Sequence, residues 1–82
     1  MNEQSRVAIV TGASRGIGAV IAKAFAAEEA AVIVNYLQNQ ESADTTVSDC
    51  KVLGGTALAL QADVTDRKSS DELVRQALEE FG

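Results

Sequence analysis

The residues of this chain whose types and spacing could do chemistry are gathered in Thr11 to Gly18, TGASRGIG, and the chemistry they suggest is the gripping of a pyrophosphate. Gly12, Gly16 and Gly18 lack the Cβ that would hold a ligand or a neighbouring backbone away, and glycine adopts the left-handed conformations that a sharp turn needs. The stretch after them has helical periodicity, so the unpaired N–H groups of its first turn would face whatever the loop holds. An anion is what such a helix start attracts. In the usual division of labour of a dinucleotide loop, Gly12 makes the turn, Gly16 admits the pyrophosphate and Gly18 lets the helix pack closely on the preceding strand. Thr11 and Ser14 add hydroxyls that orient the loop. Gly12, Ser14, Arg15, Gly16, Ile17 and Gly18 are therefore the candidate ligand-holding residues of this segment.

The spacing also excludes a rival. A nucleoside-triphosphate loop carries Lys and then Ser or Thr directly after its last glycine, whereas Gly18 is followed by Ala19 and Val20. The glycines are not in the commoner G-x-G-x-x-G order either, and a bare T-G-x-x-x-G-x-G string occurs in unrelated loops. Its position between an apolar strand and a helix gives it meaning; a purely structural turn is the alternative reading.

The loop needs a scaffold, and the hydrophobic pattern supplies one. Val7 to Val10 reads as a strand apolar on both faces, of the kind found inside a sheet covered by helices. From Gly16 to about Glu28, Ile17, Val20, Ile21, Ala24 and Phe25 recur at helical spacing and form one stripe. Ala31 to Asn35 is a second strand. Asn39 to about Leu53 places Ala43, Val47, Cys50 and Leu53 on a helix face, with Gly54 and Gly55 able to end it in a left-handed turn. Thr56 to Gln61 is a third strand. Asp66 can cap a helix from Arg67 to Phe81 with Leu73, Val74, Ala77, Leu78 and Phe81 inward and Gly82 as its stop. Strict strand-helix alternation predicts an α/β doubly wound fold of Rossmann type, of which this is one βαβαβα half with parallel strand order 3-2-1.

Composition narrows the function classes. A chain of 82 residues supports one small layered unit, and no linker or repeat divides it. With no Trp, one Tyr and two Phe, the core must be built from Ala, Val, Ile and Leu. A formal charge of -5, with seven scattered basic residues, argues against a nucleic-acid partner, which needs a positive face. The lone Cys50 and the absence of His leave too few ligands for a zinc site and no internal disulfide; Cys50 reads as a small buried apolar residue. The polar N-terminus and the shortness of the run VAIV argue against a signal peptide or membrane span, so a cytoplasmic location is expected.

Taken in order, TGASRGIG, VNY after the second strand, GG before the third and then ADVTD resemble the short-chain dehydrogenase/reductase family, most closely its 3-oxoacyl-acyl-carrier-protein reductase type. The likeness covers essentially all 82 residues as the N-terminal dinucleotide-binding portion of a single Rossmann-fold domain. It implies an oxidoreductase that reduces a carbonyl, a 3-oxoacyl thioester of fatty acid biosynthesis first among the choices, with a sugar or polyol dehydrogenase of the same family as an alternative. The likeness further implies that Asp63 and Val64 read the adenine, by the Asp carboxylate and the Val backbone N–H. A plain strand-end carboxylate is the alternative for Asp63, while Thr65 and Asp66 suit a turn and a cap.

Cofactor choice follows from charge. An acid at the end of the second strand binds the ribose 2′-OH of NAD and repels the extra phosphate of NADP. That region is Asn35-Tyr36-Leu37, with no acid, so Asn35 and Tyr36 join the candidate cofactor-binding residues. Arg15 matches a basic position that faces the 2′-phosphate in NADP-preferring members, and its guanidinium fork suits a phosphate. NADP(H) is expected over NAD(H), with a solvated Arg15 as the bland reading; Lys23 reads as a solvated charge.

The family's Tyr-x-x-x-Lys pair, with its Ser and Asn, is absent. Tyr36 has Gln40 four positions on, so it reads as a loop or cofactor-edge residue, and no catalytic residue is expected in this stretch. Without a following fourth strand, Val7 to Val10 would be an exposed apolar edge that invites pairing with another chain; homo-oligomers are expected. A non-catalytic nucleotide-binding or assembly module is the reading of a different class. Glu29 stands where the family usually has Gly past the first helix, implying either a strained cap or a longer helix. Ser70 replaces a usually aliphatic residue on the third helix.

Overall fold

Three β-α units follow one another: β1 (Val7–Val10), α1 (Gly16–Ala27), β2 (Ala31–Tyr36), α2 (Gln40–Val52), β3 (Thr56–Gln61) and α3 (Arg67–Phe81). The computed structural model describes residues 6–13 and 16–81. Ser14 and Arg15, expected to hold cofactor, and Gly82, the expected helix stop, lie outside the described residues. All strand pairs are parallel and the order is β1-β2-β3, the 3-2-1 half-sheet anticipated from the alternation. Val10 aligns with Val34 and Tyr36 with Gln61, so the C-terminal ends of all three strands open on one edge. Ligands of open α/β sheets bind on that side.

β2 is the centre of the sheet and every one of its residues is buried. Its period of two divides the core. Val32, Val34 and Tyr36 join Val10, Ala22, Ala26, Ala43 and Cys50 beneath α1 and α2, whereas Ile33 meets Leu73 and Ala77 of α3. Full burial of side chains such as Val32, Ile33 and Val34 is worth about 1.5–3 kcal/mol each relative to exposure.

The inward face of α1 differs from expectation. Ala19, Ala22 and Ala26 are buried, while Ile17 at 80% exposure, Val20 at 62%, Ile21 and Phe25 are not. Backbone proximity explains the preference. A Cβ on Gly55 would lie 2.7 Å from that of Ala26, so the end of α1 sits against the start of β3 too closely for a larger side chain than alanine. Two further expectations are corrected in the same way. Thr46 lies in the core of α2 and Leu53 does not, because Leu53 is the helix C-cap. On α3 the core takes Leu73 and Ala77 with Phe81 half-buried, but leaves Val74 and Leu78 outside.

The helix ends show how local sequence sets these lengths. Asn39 caps α2, its Oδ1 accepting the Ser42 N–H at 3.0 Å, and Asp66 caps α3 by accepting from Ser69 N–H at 3.1 Å. At the end of α2, Gly54 takes a φ of 103° and the Gly55 N–H reaches back to the Cys50 carbonyl. α1 ends with the same hydrogen-bond pattern: Glu29 N–H donates to Ala26 O and Ala30 N–H to Phe25 O. There the left-handed position is filled by Glu29, at φ 67°. The backbone thus keeps the turn that glycine normally makes, and α1 is not extended. We expect Glu29→Gly to raise the unfolding free energy by up to about 1 kcal/mol, the strain of a side chain in this region less the added freedom of the unfolded chain. Urea denaturation of the two forms measures it, and an unchanged or lower midpoint contradicts it.

Candidate functional site

At the C-terminal edge of the sheet, the chain leaves β1 through Thr11, Gly12 and Ala13 and re-enters regular structure at Gly16. Two of the three glycines there are required by conformation, since Gly12 has φ 62° and Gly16 has φ 68°. The third is required by proximity: a Cβ on Gly18 would stand 2.2 Å from the Gly12 carbonyl oxygen and 3.0 Å from Ala13 Cα. The first turn of α1 is therefore pressed against the loop that precedes it. Around Gly16, by contrast, a Cβ would meet nothing within 4 Å. This leaves an open place beside N–H groups that have no partner within the helix, the arrangement that suits a phosphate oxygen. Ile17 lies on the exposed start of the same helix.

The loop is tied to the neighbouring strand. Ala13, fully buried, donates its N–H to the Asn35 carbonyl at 3.0 Å. Asn35 is only 2% exposed, and its Nδ2 donates to the carbonyls of Leu60 and Ala62, each at 3.2 Å. The Asn35 side chain is thus turned to β3. Tyr36 is the last residue of β2, one position longer than its sequence pattern suggested, and is buried in the core beneath α1 and α2. It also lines a cleft of about 690 Å³ with Gly12, Leu37, Gln38, Asn39, Gln40 and Glu41. No acid stands at the end of β2, but Glu41, in the first turn of α2, borders this cleft.

At the same edge of the sheet, the chain leaves β3 through Ala62, Asp63 and Val64. Asp63 Oδ1 accepts from both the N–H and the hydroxyl of Thr65, at 3.0 and 2.6 Å. These bonds hold the Asp63 carboxyl below the ordinary aspartate value, the Thr65 hydroxyl being the larger cause and its N–H the second. Near neutral pH the group is an ionised acceptor, suited to an amino group. Val64 is exposed, and its carbonyl accepts from the Ser70 hydroxyl at 3.0 Å. Ser70 therefore anchors the adjacent turn where an aliphatic residue could only pack. Gln61 adds a further brace by donating Nε2 to the Leu37 carbonyl at 2.9 Å.

Gln61 and Ser70 are the positioning groups that periodicity alone did not flag, because the Gln61 bond joins β3 to the segment after β2 and the Ser70 bond closes a turn rather than filling a helix face. Thr65 and Asp66 serve as the turn and cap that the sequence indicated. Lys23, expected to be solvated, stands 3.9 Å from Asp49 of α2 in an exposed pair worth about 0–1 kcal/mol. Cys50 is buried, and burial first, then the Asp49 charge, pushes its thiol up, away from a reactive thiolate. Among the described residues no group of His, Cys, Asp or Glu could hold a metal ion. No helix among them is long and apolar enough to cross a membrane.

Comparison with known proteins fits this geometry. The sequence profile of the family described as short chain dehydrogenase matches residues 6–82. The chain is 48% identical over 79 residues to an uncharacterised oxidoreductase of Methylorubrum extorquens, covering 96% of this chain and 32% of that protein. It is 44% identical over 77 residues to the 3-oxoacyl-[acyl-carrier-protein] reductase of a Synechocystis species, covering 94% and 31%. A solved structure from Burkholderia cenocepacia, described as a dehydrogenase with bound NADP, superposes with a TM-score of 0.88 at 29% identity, over 94% of this chain and 30% of that one. The chain spans about a third of the length of the curated relatives it matches.

Proposed function

Because this chain belongs to the short-chain dehydrogenase/reductase family, we propose that it is the NADP(H)-binding portion of an oxidoreductase that reduces a carbonyl. The single observation that carries this reading is the open place at Gly16, next to a helix start and on the same sheet edge as Asp63. The residues present fit the cofactor. Gly16, Ile17 and Gly18 would offer N–H groups to the pyrophosphate, Gly12 and Ser14 would shape the loop, and Asp63 and Val64 would take the adenine. Tyr36 would border the ribose, and Arg15 would pair with its 2′-phosphate. When bound, the nicotinamide supplies the hydride; the residues of this chain bind and orient.

A 3-oxoacyl thioester on an acyl carrier protein, in fatty acid synthesis in the cytoplasm, is the substrate we favour, on the strength of the Synechocystis relative. We propose that the full enzyme is a homo-oligomer. Proton transfer needs a tyrosine with a lysine four positions on, and Tyr36 is followed there by Gln40. This stretch by itself is therefore a binding unit.

Calorimetric titration with NADPH and NADH tests the reading. NADPH should bind more tightly, and Arg15→Ala should weaken it by about 10- to 100-fold with little effect on NADH, as for the loss of a charged hydrogen bond. Equal affinities, or a preference that survives the substitution, contradict the cofactor assignment; NADPH oxidation by the 82-residue chain with a 3-oxoacyl substrate contradicts the division of roles.

A further inference from the structure

We propose that Asn35 is a positioning residue: it couples the glycine loop to the corner that carries Asp63 and thereby fixes the distance between the two halves of a dinucleotide site. The inference rests on the reading of that edge as a dinucleotide site, and deepens it.

The alternation of β2 places Asn35 on the same face as Ile33, toward α3, where an aliphatic residue would normally pack. A buried amide in such a place is costly unless its hydrogens are bonded, and here the Asn35 Nδ2 is bonded to Leu60 O and Ala62 O. Ala62 directly precedes Asp63. The backbone carbonyl of the same Asn35 receives the Ala13 N–H, and Ala13 directly follows Gly12. One residue therefore touches both the loop that would hold pyrophosphate and the strand end that would hold adenine. Its side chain is not a ligand contact in this arrangement, since both bonds run inward and the residue is 2% exposed. The coupling is also separable: a substitution at position 35 removes the side-chain link to β3 and leaves the backbone bond to Ala13 available.

A fixed separation matters because the two halves of a ligand bind as one only when both sites match its span. Asn35→Ala should therefore weaken NADPH by about tenfold while adenosine and pyrophosphate, each using one half, keep their affinities. A role limited to stability would weaken whole and half ligands alike. Ile33→Val, which loosens the same strand without touching either bond, serves as the control and should leave the ratio of whole to half affinity unchanged. Asn35→Ser, whose hydroxyl is a shorter donor, supplies a milder variant if the alanine form does not fold.

Amide hydrogen exchange measured by NMR without ligand gives the second readout. In the variant, exchange at Ala13 and at Ala62 should accelerate together, by about tenfold, with Val32 and Ile33 unaffected. Acceleration confined to the β3 side, with Ala13 unmoved, overturns the coupling. So does a parallel loss of whole and half ligands. If the unsubstituted chain bound no dinucleotide, the proposed function would fall, and the exchange data would still decide whether Asn35 links the two segments.

Discussion

Replacing Gly18 with alanine is expected to lower the unfolding free energy by about 1–3 kcal/mol, the usual cost of forcing an extra carbon into a packed contact. The added Cβ would stand 2.2 Å from the Gly12 carbonyl oxygen, 2.8 Å from its carbon and 3.0 Å from Ala13 Cα. All three are backbone atoms, so no side chain can swing aside. The clash is relieved only by lifting the loop from the helix, which displaces Gly12 and strains the Ala13 bond to Asn35. NADPH binding should therefore fall with stability. Gly16→Ala makes the contrasting case: its Cβ meets no atom within 4 Å, and the cost to folding is the left-handed φ of 68° alone, about 1 kcal/mol. The methyl group would nevertheless occupy the place assigned to the pyrophosphate, so affinity should fall more than stability does. Urea denaturation and calorimetry on both variants separate the two effects. Equal stability losses, or a Gly16→Ala form that binds NADPH as well as the parent, would show that the loop is only a turn.

The contrast between these glycines bears on how much the amino-acid sequence discloses. Element order, parallel topology and the spans of β1, β3 and α3 were legible because each rests on local signals: apolar runs of strand length, Asp66 as a cap, Gly54 and Gly55 as a stop. The face that α1 turns inward was not. Between Gly16 and Ala27 every residue except Lys23 is apolar or glycine, so two stripes satisfy the helical period, one of alanines and one of Ile17, Val20, Ile21 and Phe25. Periodicity favours the larger side chains. The small stripe wins because β3 begins against Ala26, a constraint set by residues far away in sequence. The same limit applies to the site. TGASRGIG announces a ligand loop, but that Asn35 lies under it, bonded to β3, depends on which strand pairs with which.

A helix apolar on all sides is normally covered on more than one of them, and this leads to the second large effect expected. In isolation the chain should self-associate reversibly, with a dissociation constant on the order of micromolar. Among the described residues β1 pairs only with β2, so no described strand covers the N–H and C=O groups of its other edge, and Val7 is exposed. Phe25 of α1 shares a hollow with Arg6, Val7 and Ala8, and Ile21 joins Phe25 and Arg6 in a second one. An apolar patch beside an open strand edge is a template for a second copy. The net charge of -5 opposes association, so added salt should strengthen it by screening repulsion, the reverse of what a salt-bridged interface would show. Sedimentation velocity over a range of concentrations provides the measure. Val7→Lys with Ile21→Lys places two charges on the patch without touching the buried core, and should return the chain to a monomer. A parent whose sedimentation is independent of concentration, or a double variant that associates as before, would assign no such role to this edge.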